Sequence, residues 1–356
     1  MAIRVAHVAT GNVGRLALTQ LIEDPRFELV ALSTSTAEKV GKDAGELAGL
    51  DVATGITAVG SLDELIAAKP DCVCYCAMGD TRPIESFNDI LALLSAGINV
   101  VGSAPGGLQY PWNVMPEKTI TKINAACDEN DVSLFISGVD PGFANDLIPF
   151  AFAGTCQRVT QVRCLELADY ATYDGSTVMF DVMGFGKPLE ETPMLFLPGI
   201  LGMAWGTTMQ ILADGFGVTI DEVREHHESE PAPETFDIAA GTIEKGTRAA
   251  VRFEISGMVD GKPAIVIEHI TRLRDDLRPD WKRPSKGGGC YRVEITGEPS
   301  YEVEIIPSSD KGDHNHAAIV AGAGRIVNAI PAVVAGPKGI RTTLDLPLIK
   351  GPGLTP

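Results

Sequence analysis

The sequence predicts an α/β chain in two parts: a doubly wound parallel sheet first, then an α+β domain. Three observations predict it. Near-continuous apolar strands alternate with helices up to about residue 140. A Gly-rich turn at residues 9–14 joins the first strand to the first helix. After about residue 156 the strands lengthen and alternate polar with apolar. Strands that are apolar on both faces need helices on both sides, which is the parallel, doubly wound arrangement.

The elements follow in order. Ile3 to Val8 is a β-branched run, and the amphipathic segment Arg15-Leu-Ala-Leu-Thr-Gln-Leu-Ile behind the turn reads as a helix. Residues 27–32 form the second strand, and β character returns weakly at 56–59. Ser61 with an acidic first turn opens a helix. Strands follow at 71–77, 97–101 and 132–136, with helices at 85–96 and 116–129 between them. Residues 1–145 thus make one domain, whose ligands belong at the carboxyl ends of its strands. Residues 146–310 make the second. Its strands are predicted at 159–167, 247–258, 264–274, 291–297 and 301–307, with Asp260-Gly261 as a hairpin turn. Helical stretches at 176–183 and 198–214 complete an antiparallel sheet with helices on one face. His226-His227, in an acidic stretch, reads as the end of a surface helix. Residues 311–356 return to helix at 313–330, with Asp313 as its cap, and pack back on the first domain; 350–356 read as a loose tail.

Bulk properties narrow the function. The net charge of −18 argues against nucleic acid or an anionic membrane as partner. The start of the chain lacks the pattern of a signal peptide, and no uninterrupted apolar run of ~18 residues occurs, so a cytoplasmic protein is expected. Of seven cysteines, Cys72, Cys74 and Cys76 alternate along one strand and share a face. They read as small packing residues; a metal site would need a fourth ligand that the spacing does not supply.

Strand, Gly-rich turn and helix start, in that order, are what a dinucleotide pyrophosphate requires. Thr10, Gly11, Asn12, Val13 and Gly14 are therefore the expected phosphate loop, with Ala9 where the first glycine of the G-x-G-x-x-G pattern would stand. The second strand ends not in a carboxylate but in Ser33-Thr34-Ser35-Thr36, with Lys39 and Lys42 beyond. Hydroxyls and amines suit a 2′-phosphate, so the cofactor is NADP or NAD, with NADP favoured. The loops Ala77-Met78-Gly79-Asp80 and Gly102 to Gly107, with Ser103, should border the nicotinamide ribose.

The chain resembles the dihydrodipicolinate reductase-like NAD(P) oxidoreductases, in the branch of 2,4-diaminopentanoate dehydrogenase and the native amine dehydrogenases. The residues carrying the resemblance are Val8-Ala-Thr-Gly-Asn-Val-Gly14, Gly97-Ile-Asn-Val-Val101 with Leu108-Gln-Tyr-Pro-Trp112, Gly138-Val-Asp-Pro-Gly-Phe143 and Val327-Asn-Ala-Ile-Pro331. The resemblance implies a two-domain α/β fold, hydride transfer between a nicotinamide and a C=N or C=O carbon, and a homodimer formed through the second domain. It also places Asn328 at the cofactor, a pocket aromatic at Tyr173 and a pocket histidine at His269. The chain departs from its relatives twice. Glu228-Ser-Glu-Pro follows the His-His pair where the reductases of lysine biosynthesis carry a lysine, and loop 102–107 lacks the glutamate of the amine dehydrogenases.

That missing carboxylate must be sought elsewhere, and Asp140, Glu166 and Asp169 are the candidates, with Tyr173 as a proton donor or aromatic wall and His269 as the acid best tuned to neutral pH. Asp140 before Pro141 also suits a helix cap, and Glu166 and Asp169 also suit a solvated strand edge. Residues 272–286 gather cations, either as a lid over cofactor phosphates or as an exposed hairpin connection. The expected function is an NAD(P)H-dependent oxidoreductase acting on a small, fairly apolar imine or carbonyl. A dinucleotide sensor without turnover, and a redox-neutral enzyme holding its nicotinamide tightly, are the alternatives.

Overall fold

The structure, a computed structural model, describes residues 2–79 and 82–354. The chain divides into two compact units: Met1–Phe143 with Ile319–Pro356, and Ala144–Ala318. The second unit is therefore an insertion, and the return to the first begins at Ile319 rather than at residue 311.

In the first unit the chain runs β1 (Ile3–Val8), α1 (Asn12–Glu23), β2 (Phe27–Ser33), α2 (Ala44–Ala48), β3 (Ala58–Val59), α3 (Leu62–Ala67), β4 (Cys72–Tyr75), α4 (Pro83–Ser95), β5 (Asn99–Gly102), α5 (Glu117–Asn130) and β6 (Ser133–Ile136). The second unit contributes α6 (Leu147–Ala153), β7 (Arg158–Asp169), α7 (Ile200–Phe216), β8 (Glu222–Pro231), β9 (Phe236–Ile238), β10 (Gly241–Ile243), β11 (Arg248–Val259), β12 (Lys262–Arg272), β13 (Gly289–Glu298) and β14 (Tyr301–Ile305). Helix α8 (His314–Ala335) begins in the second unit and continues into the first, which ends with β15 (Gly339–Arg341).

The seven strands of the first sheet run in the order β15-β6-β5-β4-β1-β2-β3, and every pair is parallel. The chain builds outward one way through β2 and β3, then the other way from β4, so the order reverses between β1 and β4. That reversal opens the crevice at the strands' carboxyl ends where a Rossmann sheet takes its ligand. The burial explains the parallel pairing: β4, β5 and β6 are buried at every position. By length and composition α8 is apolar enough to cross a bilayer, yet half of its most apolar stretch is buried. Ala323, Ile326, Val327, Ile330 and Val333 pack in one core with Ala17 and Leu21 of α1.

The second sheet has six strands in the order β14-β13-β7-β12-β11-β8. It is mixed, not wholly antiparallel as expected: β12 runs parallel to β7. The long excursion between them, through α7 and β8, provides the crossover that a parallel pair needs. Asp260 (φ 49°) and Gly261 (φ 73°) make the predicted two-residue hairpin between β11 and β12. The His226-His227 segment is not a helix end. It lies in β8, the edge strand, paired residue by residue with β11. Residues 273–288 are tied down by the buried Arg272, whose guanidinium donates to the carbonyls of Leu277 (3.0 Å), Lys282 (3.1 Å) and Arg278 (3.1 Å). The cations of that segment thus hold the connection itself, Arg278 stacking over Trp281 at 4.3 Å.

Candidate active site

In the first unit a candidate cofactor site is built at the end of β1. Ala9 takes the left-handed conformation (φ 72°) where the pattern has glycine, so the turn geometry is kept at the cost of strain on a side chain. Gly14 cannot be replaced: a Cβ there would lie 2.3 Å from the Ala9 carbonyl oxygen and 3.2 Å from Cys76 Cβ. At Gly11 a Cβ would meet nothing within 4 Å, which is open space above the loop. Gly11 is the N-cap of α1 and offers no side-chain hydrogen bond to the helix start, and the first turn holds no acidic residue. The N–H groups of Asn12, Val13 and Gly14 and the helix dipole are thus left to a phosphate, and this geometry fits a pyrophosphate.

Ser33 and Thr34 are buried at the end of β2, while Ser35 is exposed. Lys39 turns back to the phosphate loop, its Nζ donating to the Thr10 carbonyl (2.9 Å) and Thr10 Oγ1 (3.0 Å). Lys42 instead pairs with Glu46 at 2.8 Å. Past β4, Ala77 is half-buried and Met78 exposed, and Gly79 lies so close to Pro105 that a Cβ would come within 2.9 Å. Asp80 lies outside the described residues. Ser103 N donates to the Tyr75 carbonyl at 3.1 Å, which sets the turn after β5 beside that loop. Asn328 goes elsewhere than the resemblance implied. Its Oδ1 accepts from Gln20 Nε2 (3.0 Å) and Arg26 Nη2 (2.6 Å), two turns and more along α1 from the phosphate loop. A buried arginine that sequence reasoning passed over, Arg325, stands beside the end of β6, with Nη2 on Thr343 Oγ1 (2.9 Å) and its guanidinium over Phe135. Its only signal was a cation in the small-residue run Ala321-Gly-Ala-Gly-Arg325.

Asp140 does not cap a helix. It sits in a tight turn past β6 closed by Phe143 N on the Gly138 carbonyl (3.0 Å), and Asp146 caps α6 by accepting from Leu147 N. Gly142 (φ 141°) is obligatory in that turn, since a Cβ would sit 2.3 Å from the Gly138 oxygen.

In the second unit, strand register assembles what the sequence scatters. His227, Phe253, His269, Glu166 and Tyr291 are successive partners across β8, β11, β12, β7 and β13, so they form one row on one face. His269 is buried, its Nδ1 3.8 Å from Glu166 Oε2. The hydroxyl of Tyr170 donates to the other oxygen, Glu166 Oε1. Phe253 stacks on the His269 ring (4.7 Å, 12° between planes) and Trp205 of α7 meets it edge-on at 4.7 Å. Tyr173 packs against Tyr170, ring centroids 5.6 Å apart. Carboxylate, phenol and imidazole thus meet inside an aromatic box, where low polarity strengthens each electrostatic contact. Trp205 ends the apolar run 194–205, which the sequence offers either as pocket lining or as core; Phe253 was not among the expected residues, and only the alternation of β11 carried a trace of it. Asp169 is drawn away from this group. Its Oδ1 accepts from Ala171 N (2.8 Å), and its carbonyl accepts from Asn315 Nδ2 (2.9 Å) and faces His314 Nε2 (2.7 Å). Burial holds its carboxyl above the usual carboxylate range. It serves the junction with α8, where Asp313 caps the helix by accepting from Asn315 N and His316 N.

Known proteins resemble this chain over nearly its whole length. The family model described as the 2,4-diaminopentanoate dehydrogenase C-terminal domain matches residues 143–352. An amine dehydrogenase from Streptomyces virginiae is 40% identical over 342 residues, covering 95% of this chain and 94% of the relative. A 2,4-diaminopentanoate dehydrogenase from Acetoanaerobium sticklandii is 26% identical over 298 residues, covering 82% of this chain and 78% of the relative. Among solved structures, that of an amine dehydrogenase from Mycobacterium smegmatis matches with a TM-score of 0.77 at 18% identity, covering 98% of this chain and 97% of the other.

Proposed function

The chain belongs to the family of 2,4-diaminopentanoate dehydrogenase and the amine dehydrogenases, and we propose that it is an NADPH-preferring amine dehydrogenase whose amine-handling carboxylate is Glu166. It is an NAD(P)-dependent oxidoreductase. The nicotinamide supplies and takes up the hydride; the chain must bind it, hold the amine and move protons. In the reductive direction an imine gains hydride at carbon and a proton at nitrogen, giving the amine and oxidised cofactor.

One observation carries the reading: Glu166 lies between His269 and the Tyr170 hydroxyl in an aromatic enclosure, while loop 102–107 has no carboxylate. An anionic Glu166 attracts an ammonium or iminium nitrogen, and Tyr170 orients its carboxylate by donating to Oε1. His269 Nδ1, 3.8 Å from Oε2, is within ion-pair reach of that carboxylate when protonated and would exchange a proton with it on closing to hydrogen-bond distance. Phe253 and Trp205 keep water from the pair and offer an apolar wall to an alkyl or aryl substituent. Lys39 beside Thr10 and the hydroxyls after β2 support a preference for the 2′-phosphate of NADP.

The test is NADPH oxidation with a panel of ketones and aldehydes, with and without ammonium, for the wild type and Glu166→Gln. Ammonium-dependent turnover that falls about 10²- to 10⁴-fold in kcat in the variant, with NADPH affinity kept, is expected. Turnover that ignores ammonium would make the protein a carbonyl reductase, and an unimpaired variant would remove Glu166 from the chemistry.

A further inference from the structure

A second group of reactive side chains lies in the first unit, beneath the phosphate loop. The register of β1 on β4 sets His7 beside Cys74, and Cys76, two residues on, points to the same side. Cys74 Sγ and Cys76 Sγ are 3.9 Å apart, and with a ring nitrogen of His7 they form a set of three ligand atoms all within 4.8 Å of one another. Strand pairing thus supplies a donor that the Cys-x-Cys-x-Cys spacing alone lacked.

His7 is held as a metal-binding histidine is held. It is fully buried, and its Nε2 faces the Ala9 carbonyl at 2.6 Å. That carbonyl can only accept, so it assigns the proton to Nε2 and leaves the lone pair on Nδ1, which no hydrogen-bond partner reaches. A backbone carbonyl fixing the tautomer and orientation of an imidazole is the usual outer support of a metal ligand. The sulfur spacing agrees: two thiolates about 2.3 Å from one ion and about 120° apart lie about 4 Å from each other. Thiolate and imidazole are donors for a soft cation. Among the described residues no fourth Cys, His, Asp or Glu joins the group, and Cys74 and Cys76 belong to an apolar core with Val5, Ala17, Leu21, Val101 and Phe135. Three donors in an apolar pocket suit trigonal Cu(I) better than tetrahedral zinc.

We propose that His7, Cys74 and Cys76 form a binding site for a thiophilic monovalent cation of the Cu(I) type, and that its occupation weakens dinucleotide binding. Binding is balanced by release of the two thiol protons, giving two Cu–S bonds and one Cu–N bond with no change of oxidation state. The coupling follows from contact: Cys76 Cβ lies 3.2 Å from the place where a Gly14 Cβ would be, and the Ala9 carbonyl that holds His7 lies 2.3 Å from that same point. Drawing Cys76 toward an ion therefore moves the floor of the phosphate loop.

The experiment titrates the reduced, full-length protein with Cu(I) presented as its bicinchoninate complex and measures NADPH affinity before and after. The wild type should withdraw one equivalent of copper and develop thiolate-to-copper absorption in the ultraviolet, with the Kd for NADPH rising about tenfold. Cys76→Ser, which keeps the Cβ and nearly the volume at a half-buried position, should lose that equivalent and the shift in Kd while melting like the wild type. Cys72→Ser and Cys156→Ser should keep both. Copper uptake that is equal in the wild type and Cys76→Ser overturns the site, and uptake without any change in Kd overturns the coupling. Neither readout depends on amine turnover.

Discussion

Lys39 joins the end of β2 to the phosphate loop through a single amine, bonded twice to Thr10. A 2′-phosphate arriving beside Ser33 and Ser35 would meet a cation already held in place, and a charge-assisted bond of this kind is worth enough to set cofactor preference. Lys39→Ala should weaken NADPH binding about tenfold, roughly 1.4 kcal/mol, and leave NADH within about twofold. Fluorescence titration of both cofactors checks it, and an equal loss for both would refute the preference. His7 makes a different prediction, about stability. Burial pulls its imidazole from 6.5 down to about 4, against the pull of the Ala9 and Gly14 backbone. Below pH 6.5 the unfolded chain takes a proton that the folded chain refuses until about pH 4. The contribution is therefore complete above pH 6.5 and is lost progressively as the pH falls toward 4. Between pH 7 and pH 5 the metal-free protein should lose about 2 kcal/mol through this group. Urea unfolding at the two pH values measures the loss, which should be smaller by that amount in His7→Leu.

At the scale of elements, the fold was most legible where burial is one-sided or complete. β1, β4, β5 and β6 announce themselves by short, mostly apolar, β-branched runs, and β11 and β12 by alternation around Asp260-Gly261. β8 did not, for a physical reason. As the edge strand it is largely exposed and needs no apolar face, and its sequence Glu-Val-Arg-Glu-His-His-Glu-Ser-Glu-Pro carries charges that deter a further strand from adding. The site was legible as residues but not as a constellation. Glu166 and His269 stand out singly, while their meeting depends on β7 and β12 lying parallel, and no local pattern encodes a register between strands a hundred residues apart. Arg248 is a further element-scale feature that composition hides. It is almost wholly buried, donating to Ser229 Oγ (3.0 Å) and to the carbonyls of Gly184 (2.9 Å), Leu189 (3.3 Å) and Glu191 (2.9 Å). One guanidinium at the start of β11 thus anchors the whole connection before α7. Arg248→Met keeps the volume and removes the donors, leaving the buried Gly184 carbonyl and three part-buried oxygens without this partner. A loss of about 2–4 kcal/mol is expected from that count, read as a lower urea midpoint, and a loss below about 1 kcal/mol would show that the connection holds without it.

At the scale of the molecule, the second sheet presents two unlike faces. The row of His269 and Glu166 lies on one. On the other, by strand alternation, Arg163 bonds Glu254 (2.7 Å) and Glu268 (2.6 Å), while Arg252 bonds Glu268 (2.8 Å) and Glu228 (3.0 Å). Glu268 is buried between two guanidiniums, yet the side chains of Arg252, Glu254 and Glu228 remain a quarter to a third exposed. On a half-covered sheet face with ordered charges of both signs, a two-fold axis placed between Arg252 and Glu254 would bring the arginine of each copy to the glutamate of the other. The resemblance implied a homodimer through the second domain, and we propose that two copies pair through this face of it. Light scattering on the eluting protein should then give twice the chain mass of 37.7 kDa. Glu228→Lys, which replaces a partner of Arg252 with a like charge, should shift the population to single chains and do so more strongly at low salt, where repulsion is least screened. A wild type that elutes as single chains would leave the charged face serving the sheet alone, with Arg163 and Arg252 present to neutralise the buried Glu268.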